Sequence, residues 1–127
     1  EQQPEVDHSM ESVSSTKGNS FNEFWREAKD GGFFSYKLNT NSEQNLTLMV
    51  RYWGKETGKR TFDIFIDGTK LTSECLLNKW NNEQFYNVEY SILNSLLLGK
   101  KSVTVKFQGV DRDNNAGKIY YLRLLRK

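Results

Sequence analysis

Residues 50–68 read VRYWGKETGKRTFDIFIDG, and how this stretch folds decides the fold of the chain. Side chains on a strand alternate between its two faces. In LTLMVRYW (46–53), Leu46, Leu48, Val50 and Tyr52 therefore share one face, and in TFDIFI (61–66), Phe62, Ile64 and Ile66 do the same. The polar GKETGK lies between the two runs. An antiparallel register with Val50 opposite Ile64 and Leu48 opposite Ile66 superimposes both apolar faces. It also sets Arg51 opposite Asp63 on the other face. An exposed pair of that kind contributes about 0–1 kcal/mol, so its value would lie in fixing the alignment.

Asp67-Gly68 follows directly. Asp-Gly between apolar runs marks a two-residue hairpin, because a type I′ turn needs positive φ at both central positions. The turn predicts Ile64 against Leu71 and Phe62 against Ser73, with Cys75 inward beside Leu71. Residues 46–76 are thus expected to form a three-stranded meander. FYNVEYSI (85–92) alternates Tyr86, Val88, Tyr90 and Ile92 against Asn87, Glu89 and Ser91. LNSLLLGKK (93–101) reads as a helical turn or tight loop ended by Gly99. SVTVKF (102–107) turns Val103, Val105 and Phe107 inward, QGVDRDNNAG (108–117) is a polar loop, and KIYYLRLL (118–125) closes the chain as one strand. Upstream, GGFFSYKL (31–38) is a strand, and NEFWREAKD (22–30) a helical turn or irregular segment. Residues 1–20 hold the one proline and form an extended lead-in with room for a short edge strand; residues 21–127 form the domain. About seven or eight short strands with regular turn signals and no long helix predict an all-β antiparallel β-sandwich or jelly roll.

The totals agree. One domain accommodates 127 residues, and 8 Phe, 6 Tyr and 3 Trp favour sheets. A net charge of +2 gives no field to draw the chain to nucleic acid, and the bases near Tyr52 and Trp53 are interleaved with acids. No apolar run approaches the roughly 20 residues of a membrane-spanning helix. The polar start shows no signal peptide, although a piece of a longer precursor would read the same way. Cys75 is the only cysteine, so neither an intrachain disulfide nor a cysteine-rich zinc site is expected. His8 is the only histidine and lies in the lead-in, away from any scaffold that could hold a nucleophilic triad. Asp63 and Asp67 are close in sequence, but one faces Arg51 and the other makes a turn; Glu74 and Glu89 are expected to face outward. No cofactor is expected. In DRDNN (111–115), Asp111, Asp113 and Asn115 alternate as in a calcium loop, but Ala116 replaces the required Gly and Leu122 the bidentate Glu. A polar loop is the plain reading, with a structural calcium on Asp111 and Asp113 as the other.

The aromatics carry the binding chemistry. Sugars offer apolar C–H faces to rings, while Asn, Asp and Arg take their hydroxyls. Trp80, in the polar loop NKWNNEQF, is a lid over the core or a stacking platform. Trp53 lies on an outward face beside a loop. Trp25 is a core residue or a contact. These three, with Asn114, are the candidate ligand residues.

In this order, WREAKDGGFFSYKL, VRYWGKETGKRTFDIFIDGTKL, FYNVEYSI, GKKSVTVKFQG and AGKIYYLRLLR resemble the C-terminal β-sandwich accessory domain, formerly of unknown function, of bacterial glycoside hydrolases of the β-L-arabinofuranosidase type. The resemblance covers roughly residues 8–126. It implies a galactose-binding-like architecture, a catalytic domain in cis, an extracytoplasmic location and a plant-type oligosaccharide. In that family catalysis belongs to a separate helical barrel with a Glu and a cysteine-bound zinc, and none of those residues maps onto this chain. Three readings follow: a non-catalytic carbohydrate-binding module, a structural domain packed against the parent barrel, and, last, an autonomous glycosidase.

Overall fold

The computed structural model describes residues 10–20 and 23–126. They form nine strands: β1 (Met10–Ser20), β2 (Glu23–Asn39), β3 (Leu46–Trp53), β4 (Thr61–Ile66), β5 (Thr69–Cys75), β6 (Phe85–Ser91), β7 (Ser102–Gly109), β8 (Ala116–Ile119) and β9 (Tyr121–Arg126). The larger sheet runs β1-β2-β7-β4-β5, with β8 also pairing β2; the smaller runs β6-β3-β9. Every pairing is antiparallel, so the all-β sandwich is as expected. The sheets close on one core, in which Leu48, Val50 and Tyr52 of the smaller sheet and Phe62, Ile64, Val105 and Phe107 of the larger are all 0% exposed.

The β3–β4 hairpin does not form. β3 pairs β6 and β9, whereas β4 pairs β5 and β7. The loop 54–60 carries the chain from one sheet to the other, so Val50 and Ile64 belong to opposing layers rather than neighbouring strands. Two strands with one apolar face each can hide those faces side by side in one sheet or against each other across a sandwich, and alternation is the same in both cases. Arg51 therefore has no bond to Asp63. Its Nε donates to Asn87 Oδ1 at 3.1 Å, while Asp63 accepts from Ser73 Oγ and pairs with Lys70.

The Asp67-Gly68 turn forms with φ of 48° and 83°, as the dipeptide predicts. Ile66 pairs Thr69 and Phe65 pairs Lys70, but a bulge then shifts the register: Ile64 meets Thr72, and Phe62 meets Glu74. The extra residue turns Cys75 outward and buries Glu74, reversing the expected orientation of both. Glu74 is turned inward to a purpose. Its Oε1 accepts from Tyr90 Oη at 2.7 Å, Tyr90 Oη lies 2.7 Å from Tyr52 Oη, and Lys79 reaches Glu74 Oε2 at 3.0 Å. Burial pushes both phenols above their ordinary value of 10, so both hydroxyls keep their protons at ordinary pH.

Two more expectations change. Residues 23–30 are strand, the first half of a 17-residue β2 that pairs β1 along one edge and β8, then β7, along the other; residue 22 lies outside the described residues. Residues 118–125 are not one strand. β8 stays in the larger sheet and β9 joins the smaller, with Tyr120 at the crossing, where its N–H donates to Arg51 O at 3.0 Å. The turn Asn94–Leu96 is 3-10 and is followed by Gly99 at φ 73°, and β7 buries Val103, Val105 and Phe107, all as expected.

Two measurements check this architecture. Since Arg51 and Asp63 lie in different sheets, a double-mutant cycle with Arg51→Ala and Asp63→Ala should give a coupling energy within about 0.5 kcal/mol of zero; a larger value would restore the hairpin. Tyr90→Phe strands the Tyr52 hydroxyl and Glu74 Oε1 and is expected to cost about 1–3 kcal/mol in denaturant unfolding.

Candidate functional site

The loops 54–60, 76–84 and 110–115 lie at one end of the sandwich. The smaller sheet ends there in Trp53, Phe85 and Tyr121, and the larger in Thr61, Cys75 and Gly109. The outward face of β3 is set by parity: Leu48, Val50 and Tyr52 face the core, so Met49, Arg51 and Trp53 face away from it. The register brings Phe85 beside Trp53 and flanks Arg51 with Asn87 and Tyr121. Trp53 meets Phe85 edge to face at 4.9 Å. The Arg51 guanidinium sits 5.7 Å from the Phe85 centroid and 5.5 Å from that of Tyr121. Ring–cation and ring–ring contacts of this sort hold Arg51 and Trp53 in place. The result is a half-exposed indole next to a guanidinium and an exposed Asn87 amide, the mixture of ring and hydrogen-bonding groups that a sugar ring needs.

Beside it, loop 54–60 is pinned by buried charge. Arg60 donates from Nη1 to Glu27 Oε1 at 2.7 Å and to Gly117 O at 3.2 Å, and from Nε to Thr57 O at 2.7 Å. Glu56 lies 3.8 Å from Arg60 Nε with its side chain only 6% exposed, and its Oε2 has no hydrogen-bond partner among the described residues. Burial, the largest cause, pushes the Glu56 carboxyl above its ordinary 4.5, against the pull of Arg60 and Lys118. Glu27 and Glu56 thus both stand against Arg60, and the cluster anchors the loop. Among the described residues there is no group of three or more His, Cys, Asp or Glu able to hold a metal ion.

Residues 1–125 match the model of a family of unknown function, DUF6805. The chain belongs to that family. No curated protein sequence matches it. Among solved structures, a family 35 carbohydrate-binding module from Clostridium thermocellum aligns with a TM-score of 0.62 at 12% identity, over 93% of this chain and 92% of that one. The C-terminal family 6 module of a marine laminarinase from Zobellia galactanivorans aligns at 0.59 and 16%, over 91% of each. An exo-β-1,3-galactanase from Phanerochaete chrysosporium, solved with β-1,3-galactotriose, aligns at 0.70 and 12%, over 98% of this chain but only 28% of the galactanase. At such identities the likeness is one of fold.

The DUF6805 chain gathers the expected ligand residues at one end of the sandwich but gives them different work. Trp53 lies in the half-exposed platform. Trp80 packs against the core, stacked parallel on Tyr86 at 4.2 Å and 6.2 Å from Tyr52, which is the lid reading. Trp25 lies flat on β1, where a Cβ on Gly18 would come within 2.4 Å of the ring, and Lys118 Nζ sits 4.3 Å from its centroid. Asn114 ties loops together: its Oδ1 accepts from Thr61 N at 3.1 Å and its Nδ2 donates to Asp111 Oδ1 at 2.8 Å. Asp111 Oδ1 also accepts from Asp113 N at 2.9 Å; the Asn114 bond, first, and these backbone bonds hold its carboxyl below the usual value. This loop closes on itself. Asp111 Oδ1, one of the oxygens a calcium ion would need, is thereby engaged inside the loop. Phe85, beside Trp53, and Asn87 and Tyr121, beside Arg51, were not singled out in the sequence; their outward parity was the available signal, and the partner strands of β3 had to be known to use it.

Glu56 gives a pH signature. A carboxyl whose folded value is raised contributes stability at low pH that is lost as pH rises through that value. Glu56→Gln is therefore expected to gain stability relative to the parent chain as pH is raised from 4.5 toward neutrality, read as the difference in unfolding midpoint at matched pH. A difference that shrinks with pH would mean that Glu56 folds ionised.

Proposed function

We propose that this DUF6805 chain is a non-catalytic, carbohydrate-binding accessory domain of a bacterial, extracytoplasmic polysaccharide-degrading glycoside hydrolase, and that it presents a plant-type oligosaccharide to a catalytic domain in cis. The observation that carries the reading is the Trp53 platform: a half-exposed indole braced by Phe85, with Arg51 and Asn87 alongside. A sugar stacking on the indole would take hydrogen bonds from the Arg51 guanidinium and the Asn87 amide. Support comes from the shared fold with carbohydrate-binding modules and with a segment of a galactanase. Chemistry in the chain itself is disfavoured by Arg60, which holds both Glu27 and Glu56.

A second reading, a domain that packs against the parent barrel, is favoured by one feature. Leu93 and Leu98, at the opposite end of the sandwich, are 68% and 67% exposed, an apolar spot a neighbouring domain could cover. It would leave the Trp53 face open, so the two readings are compatible.

Intrinsic tryptophan fluorescence, titrated with arabinan- and galactan-derived oligosaccharides, tests the binding role. Trp53→Ala should abolish a saturable shift while moving the unfolding midpoint little. Trp80→Ala should instead destabilise by about 2–4 kcal/mol, since it opens the lid of the core. A flat titration across a broad glycan panel would discard the binding role and leave the packing one.

A further inference from the structure

Resting on the Trp53 reading, we infer that the same face prefers a sugar carrying a carboxylate, and that Arg123 is the residue that receives it. Arg123 lies on β9 opposite Met49, one step down the face from the pair Arg51 and Tyr121. Its Nε is buried and has no hydrogen-bond partner among the described residues. A buried donor without an acceptor is rare in folded proteins, and each case asks for an explanation. Arg51, the other guanidinium on this face, already spends its Nε on Asn87; Arg123 does not.

The fork formed by Nε and one Nη of a guanidinium matches the two oxygens of a carboxylate in parallel hydrogen bonds. A saccharide stacked on Trp53 and extended along β3 would bring its next residues over Met49 toward Arg123. A uronic acid unit there would offer two carboxylate oxygens, one of them to the Nε–H that lacks a partner among the described residues. Glu89, exposed and also opposite Met49, stands on the far side of β3, roughly 10 Å from Arg123 by two strand spacings. It therefore fixes where the carboxylate goes: toward β9, with only hydroxyls toward β6.

The test is calorimetric titration of the intact chain with oligogalacturonides and with neutral galactan oligosaccharides of equal length, at low and physiological salt. The acidic ligand is expected to bind about tenfold tighter, with the gap narrowing as salt rises. In Arg123→Gln, checked for an unchanged unfolding midpoint, the ratio of acidic to neutral affinity should fall to about one; Arg123→Lys, which keeps the charge without the fork, should recover only part of it. Equal binding of acidic and neutral ligands by the parent chain would overturn this inference and leave the Trp53 reading standing. A preference that survives Arg123→Gln but is lost in Lys106→Ala would also overturn it, since Lys106, held between Phe33 and Phe65, lies on the larger sheet. Binding of neither ligand would overturn both.

Discussion

The smaller sheet has only three strands, and its central strand β3 carries an apolar row, Leu46, Leu48, Val50 and Tyr52, that is almost wholly buried. Three short strands cannot be stable while such a row faces water. The larger sheet must therefore lie over it, and the chain must pass between layers to build both. It does so between β2 and β3, between β3 and β4, between β5 and β6, between β6 and β7, and at Tyr120. The burial of this one row accounts for the crossing loops, the core between the sheets and the two outward faces that remain.

The crossings shape the candidate site. Loop 54–60 leaves β3 just after Trp53, so the ring sits at the rim of the smaller sheet with polar neighbours. Arg60 ties this loop to Glu27 on β2 and to Gly117 at the start of β8. Breaking a buried pair of this kind by removing one partner leaves an uncompensated charge, so the loop that follows the platform has little freedom to move. The position of the ring is thus set by contacts within the fold.

The same logic runs through the polar core. The bulge in β5 places Glu74 under Tyr90, and Tyr90 links it to Tyr52. A polar network inside an apolar sandwich is favourable only when its members are satisfied. Here Tyr52 belongs to β3, Tyr90 to β6 and Glu74 to β5, so the network stitches the smaller sheet to the edge of the larger one and fixes the stagger between them.

Period-two alternation in residues 46–53, 61–66, 85–92 and 102–107, together with Asp67-Gly68, was enough to determine those four strands, the hairpin turn and the core face of β3, β4 and β7, because side-chain parity and turn chemistry are local. Alternation also put Trp53 outward. Which strand lies beside which was decided only in three dimensions. The pattern that would let Val50 and Ile64 pair side by side equally lets them meet across the core, and only the need to cover a three-stranded sheet selects the second. For the same reason the sequence could not distinguish the three tryptophans. All three are half-buried, and what packs against each ring differs: the β1 backbone at Gly18 for Trp25, the ring of Tyr86 for Trp80 and the edge of Phe85 for Trp53. Gly18 and Tyr86 stand seven and six residues from Trp25 and Trp80, whereas Phe85 reaches Trp53 from a strand much farther along the chain; tertiary packing, and not the residue type, sets the surroundings of each ring.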